Sequence, residues 1–168
     1  MLLTLESREG DMHQRKVLAG LAVIVAIAAC SDDDPTAPKP EQYVATLNSA
    51  NEIPTASAPA FASNATGAST ITIQGNTISW TTTTTGFGAG TTGPGGAAAP
   101  TSHIHFGGST ANGGIMKELT AAINGTASGT TTVVDSVLTH IRAGNAYVNI
   151  HTSNRAAGEI RGQLVKVQ

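Results

Sequence analysis

The sequence predicts an all-β fold: an antiparallel β-sandwich of Ig-like or Greek-key type with one short helix, preceded by a signal peptide and a disordered tether. Three observations carry this expectation. Glycine, alanine and threonine dominate the composition, and threonine suits a pleated, half-wet surface while glycine marks turns. No stretch in the C-terminal three quarters of the chain is long and amphipathic enough for a major helix. Short Thr-, Val- or Ile-rich runs separated by glycine turns are instead the pattern of a sandwich or barrel.

The 168 residues make one domain with appendages at the N-terminus. Residues 1–29 read as a signal peptide. Arg15 and Lys16 precede an apolar run, Val17–Ala26, which is too short to cross a bilayer comfortably as a helix. Met1–Asp11 carries acids where a signal needs base, so the leader is expected to start at Met12. Ile27-Ala28-Ala29 then leads into Cys30, the sole cysteine, and resembles a bacterial lipobox. That resemblance implies cleavage before Cys30 and lipid on it, hence a membrane partner and a place in the cell envelope, at an outer membrane or in the cell surface or periplasm. A generic secretory cleavage at Ala28-Ala29 is the alternative. Residues 30–41 form the lipidated cysteine and its tether. Ser31–Glu41 holds three aspartates and three prolines, a composition that stays extended and solvated. Asp32–Asp34 lacks the spacing and terminal glutamate of a calcium loop.

Residues 42–168 are the expected domain. Strands are expected at Tyr43–Asn48, Gly67–Gln74, Asn76–Thr85, Ser102–Phe106, Gly114–Leu119, Tyr147–Thr152 and Gly158–Val167. Gln74-Gly75-Asn76 between two alternating runs signals a hairpin. Gly86–Ser102 is low in complexity and reads as a flexible loop. Its glycines follow no phosphate-binding pattern. At Asp135–Gly144, Val137, Leu138 and Ile141 recur at helical spacing, with Asp135 or Ser136 to cap and Gly144 to end the helix. His140 is then an exposed helix residue, and Trp80 a core or hairpin residue.

Charge excludes some functions. Nine basic residues stand against eleven acids, and aromatic residues make up 4%, so neither a polybasic nucleic-acid surface nor a base-stacking platform is present. No serine sits in a nucleophile elbow, and the only cysteine is committed to the anchor.

Two stretches carry a resemblance: "SHIHFGG" from Ser102, and "AGNAYVNIHTSNRAAGEIRGQL" up to Leu164. With "NSANEIP", Asn48–Pro54, they resemble the CHRD domain, a module named from chordin and widespread in bacterial secreted proteins. The likeness runs from Tyr43 to Leu164. It implies an extracellular β-sandwich module; a binding role for such a module, with a protein, a polysaccharide or another CHRD copy as ligand, is a separate expectation. It brings no growth-factor binding, because the cysteine-rich domains that surround the module in chordin are missing from this chain. Asn112-Gly113-Gly114 and Ala156-Ala157 stand where that pattern more often has Asn-Gly-Pro and Pro-Gly.

Side-chain alternation gathers the chemistry. His103 and His105 share one face, opposite Ile104 and Phe106. Tyr147, Asn149 and His151 oppose Val148 and Ile150. Glu159, Arg161 and Gln163 oppose Ile160 and Leu164. If the three strands are neighbours, three histidines, Tyr147, Asn149, Glu159 and Arg161 form one patch. Three readings follow, one of them a catalytic acid/base role for these side chains. The polar groups hydrogen-bond one another and hold the strands in register. Alternatively His103 and His105, with Cα atoms about 6.5 Å apart, join His151 in a three-nitrogen site for copper or zinc. A binding or structural module, rather than an enzyme, is the leading expectation, with a metal-binding or metal-dependent redox protein as the alternative.

Overall fold

A computed structural model describes residues 38–168. The signal peptide, Cys30 and most of the tether lie outside the described residues. The order of elements is β1 (Glu41–Asn48), β2 (Thr66–Gln74), β3 (Thr77–Thr85), β4 (Thr101–Phe106), β5 (Ile115–Thr120), β6 (Thr126–Thr132), α1 (Asp135–Arg142), β7 (Ala146–His151), β8 (Ile160–Gln163) and β9 (Val165–Lys166). The fold is all-β, as expected, with a single α-helix among the described residues.

The strands build one antiparallel sheet in the order β5-β4-β7-β8-β1-β2-β3-β6, with β9 also paired to β1. The sheet curls until its ends nearly meet, where Thr120 Oγ1 of β5 donates to the Ser128 carbonyl of β6 at 3.4 Å. Curling brings the inward side chains into one core. Tyr43, Leu47, Ile71, Ile78, Ile104, Val148, Ile150 and Ile160 all belong to it. At about 25 cal/mol per Å² of apolar surface buried, this core is the main stabilising term.

Alternation explains why each run takes its place. In β3 the even-numbered positions Ile78, Trp80, Thr82 and Thr84 point inward. The two threonines are tolerated there because each hydroxyl is satisfied, Thr82 by Ser69 at 2.8 Å and Thr84 by the Ala122 carbonyl at 2.6 Å. The β2–β3 hairpin turns at Gly75-Asn76, with Gly75 taking φ +58°. In α1, Val137, Leu138 and Ile141 are the buried stripe.

Three expectations are corrected. Neither Asp135 nor Ser136 caps the helix. Val134 occupies that position without a side-chain bond, while Asp135 accepts from Asn76 Nδ2 at 2.7 Å and ties the helix to the hairpin. The loop at Gly86–Ser102 is anchored at its start, and its last two residues belong to β4. Phe87 is buried in the core, and Asn124, with φ +50°, both accepts from Phe87 N at 2.8 Å and donates to Phe87 O at 2.9 Å. The third is β6, "TASGTTT", a strand that the hydropathy pattern did not reveal.

Candidate metal centre

The central strand of the site is β7, flanked by β4 and β8. Registry places His103 opposite Asn149 and His105 opposite Tyr147 on one side, and Arg161 opposite Asn149 on the other. Ile104, Val148, Ile150 and Ile160 point to the core, so the polar residues stand on the outer face. That face is not open to solvent. His103, His105, His151, Tyr147, Asn149, Glu159 and Arg161 are all buried. Their hydrogen bonds run to the segments that follow β1, β4 and β7, which supply partners at Glu52, Gly113 and Ala156.

The three histidines converge. Their ring centroids are 5.4 Å (His103–His105), 4.8 Å (His103–His151) and 5.6 Å (His105–His151) apart. One ligand nitrogen from each lies within 4.8 Å of the others. Metal–nitrogen bonds of about 2.0–2.1 Å place ligand atoms roughly 3.4 Å apart in a tetrahedral site. Ring movements of about an ångström would close the cluster on an ion.

Backbone carbonyls fix the tautomers. His105 Nδ1 donates to Gly113 O at 2.9 Å, and His151 Nδ1 donates to Ala156 O at 3.0 Å. In each ring Nε2 is left as a lone pair, buried and without a partner. This is the arrangement in which a second partner orients a ligating imidazole. His103 Nδ1 is also buried and unpartnered. Burial, reinforced by the neighbouring imidazoles, holds the His103 pKa down to about 4. Burial lowers those of His105 and His151 as well, against the opposing effect of their carbonyl bonds. At neutral pH all three are therefore uncharged, the form that binds a metal.

The hydrogen-bond network expected among the polar residues is not the one that forms. Among the described residues the histidines bond neither one another nor Asn149, Glu159 or Arg161. Arg161 donates to Asn112 Oδ1 at 2.7 Å, Gly108 O at 2.8 Å and Ala111 O at 2.9 Å. Glu159 accepts from Ser63 Oγ at 2.6 Å and from Thr152 Oγ1. Loops rather than strand neighbours satisfy these groups, because loop backbone reaches over the face where cross-strand side chains stand parallel.

Aromatic stacking joins the remaining members. Tyr147 lies parallel to His105, with centroids 5.0 Å apart and planes at 9°. The Arg161 guanidinium lies over the same ring, its Cζ 3.4 Å from the centroid. Because β4 and β8 flank β7 on opposite sides, imidazole and guanidinium sandwich the phenol. The Tyr147 hydroxyl accepts from Gly113 N at 3.2 Å, so one residue anchors both His105 and Tyr147.

Glu52 is the site residue that residue-level reading missed. Asn149 Nδ2 donates to its Oε2 at 3.4 Å, while its Oε1 is buried without a partner. Burial raises its pKa to about 7, against the pull of Arg161 and the Asn149 bond. Its only sequence signal was its place in "NSANEIP". Gly158, at φ +120°, lets the chain pass Asn149, since a Cβ there would sit 2.4 Å from Asn149 Nδ2.

Comparison with known proteins gives one positive finding. A family model described as the CHRD domain matches residues 43–164. No curated protein and no solved structure matches the chain.

Proposed function

The chain belongs to the CHRD family over residues 43–164, an extracytoplasmic type of β module, and on that premise we propose that His103, His105 and His151 form a copper or zinc centre. Two observations carry the reading: one ring nitrogen from each histidine lies within 4.8 Å of the others, and each ring has a buried nitrogen without a partner. Leaving a buried polar atom unpaired costs about 1–3 kcal/mol. Three in one place form a cluster that binding an ion would satisfy together. A lipid on Cys30 would hold this centre at the envelope membrane.

Metal analysis of the purified full chain, alone and as His105→Ala, tests the reading. About one equivalent of copper or zinc, lost in the variant, is the expected result. A folded chain that takes up no metal overturns it. A second reading, capture of a protein or polysaccharide ligand without metal, draws on a cleft of about 540 Å³ lined by Glu52, Ile53, Phe61 and Arg155. Retained ligand binding in His105→Ala would favour that reading.

A further inference from the structure

The charge of the site says more than its geometry. All three donors are neutral, and among the described residues no carboxylate or thiolate converges with them. Across the Tyr147 ring from His105 stands a positive charge, the Arg161 guanidinium. Arg161 is 1% exposed, its three side-chain hydrogen bonds end on neutral oxygens, and an arginine keeps its proton. Its guanidinium is separated from the His105 imidazole by the thickness of one phenol ring.

We propose that the His103–His105–His151 centre is selective for monovalent, three-coordinate copper, and that Arg161, acting through Tyr147, is the positioning residue that sets the preference. The proposal rests on the metal reading above and deepens it. A divalent ion on three neutral nitrogens would bring its whole double charge onto a donor set that holds no anion. It would also need a fourth ligand, which for zinc is usually water. Cu(I), a closed-shell d10 ion, accepts three nitrogens in a plane and brings half the charge. Arg161 amplifies the difference. At the separation of about 8 Å that the stack sets between the guanidinium and the His105 imidazole, and an effective dielectric of about 20, each unit of charge carried at that imidazole would be disfavoured roughly thirty-fold. Tyr147 holds the guanidinium at that distance by stacking on both partners.

The test titrates the full chain with Cu(I), under anaerobic reductant and a competing chelator, and separately with Cu(II) and Zn(II). The reduction potential of the bound copper is measured for wild type, Arg161→Gln, Arg161→Lys and Asn112→Asp. Asn112→Asp neutralises Arg161 at its own hydrogen bond and opens no cavity, so it serves even if Arg161→Gln fails to fold. We expect wild type to prefer Cu(I). Loss of the charge should lower the Cu(I):Cu(II) affinity ratio about thirty-fold, or about 90 mV at 59 mV per tenfold change, in both Arg161→Gln and Asn112→Asp. Arg161→Lys should restore most of the shift. Zn(II) or Cu(II) held as tightly as Cu(I) overturns the preference and leaves the metal centre standing. A potential unmoved in Asn112→Asp overturns the role of Arg161. No histidine-dependent uptake of any of the three ions overturns this proposal and the metal reading together.

Discussion

His103 is an imidazole buried beside two others with nothing for Nδ1 to bond, which makes it a defect in the metal-free fold. Replacing such a group by an apolar side chain of similar size relieves the unmet bond. His103→Leu should therefore melt higher than wild type in the presence of chelator, by about 1 kcal/mol, and should no longer gain stability from metal. Thermal melts with and without chelator check this, and a destabilised variant would show that the imidazole is held by bonds of its own. His151→Ala should do the opposite and lower the chelated melting temperature, because it strips the partner from Ala156 O. Acid should unfold the metal-free chain early. With folded pKa values below the ordinary 6.5, the unfolded chain binds protons first, so stability is lost as pH falls from about 6.5 toward the His103 value of about 4. Glu52 works in the other direction. Its folded pKa is raised to about 7, so its contribution is intact below about 4.5 and is lost as pH rises through 7. Glu52→Gln should match wild type near pH 4 and exceed it near pH 8 by roughly 1–2 kcal/mol, after discounting for a partly exposed side chain; urea melts at both values decide it, and an equal gap at each would reject it. The histidines were legible in the sequence because period-two alternation is a property of the strand itself. Their partners at Gly113 and Ala156 were not, since a backbone carbonyl carries no residue-type signal.

Strands with hydrophobic alternation were legible, and the one without it was not. Seven expected segments fall on β1 to β5 and β7 to β9, with the last segment divided at Leu164 where pairing passes from β7 to β1. β6 escaped because its inward positions are Ala127, Gly129 and Thr131, too small to register as a hydrophobic stripe. The small residues have a physical reason. Gly129 pairs with Trp80, and the indole lies so close over it that a Cβ would sit 2.3 Å from Trp80 Cζ2. Tryptophan and glycine are thus a cross-strand pair whose combined volume suits the wall of the sheet. Gly129→Ala should overpack that pair and cost about 1–3 kcal/mol. Trp80 is the only tryptophan, so its fluorescence reports the same event, with a shifted emission maximum in the folded variant. Unchanged emission and stability would mean that the indole moves aside freely, and that β6 is not held by this contact. The helix was found by its spacing but not by its cap, because the carboxylate that could have capped it is drawn to Asn76 instead.

Across the whole molecule, the sheet order sets the site apart from the opposite wall. β4, β7 and β8 are consecutive, and β2, β3 and β6 lie beyond β1 on the far side of the path. Among the described residues, two covering segments, at residues 107–114 and 153–158, are hydrogen-bonded to the histidines through Gly113 and Ala156 alone. A bound ion would fix both imidazoles at once and so couple the two segments. Ligand binding to the folded state raises stability by RT ln(1 + [L]/Kd), about 2.7 kcal/mol at a hundredfold excess over Kd. Where opening is local, the protection concentrates in the parts that must open for the ion to leave. Hydrogen exchange of the full chain with and without copper should therefore slow at residues 107–114 and 153–158. The β3–β6 pairing, at the distant end of the sheet, should change least. Uniform slowing across both walls would mean that exchange runs through global unfolding and that the two segments are not separable units. Slowing confined to β3 and β6 would place the ion elsewhere, because no member of the histidine cluster belongs to that wall.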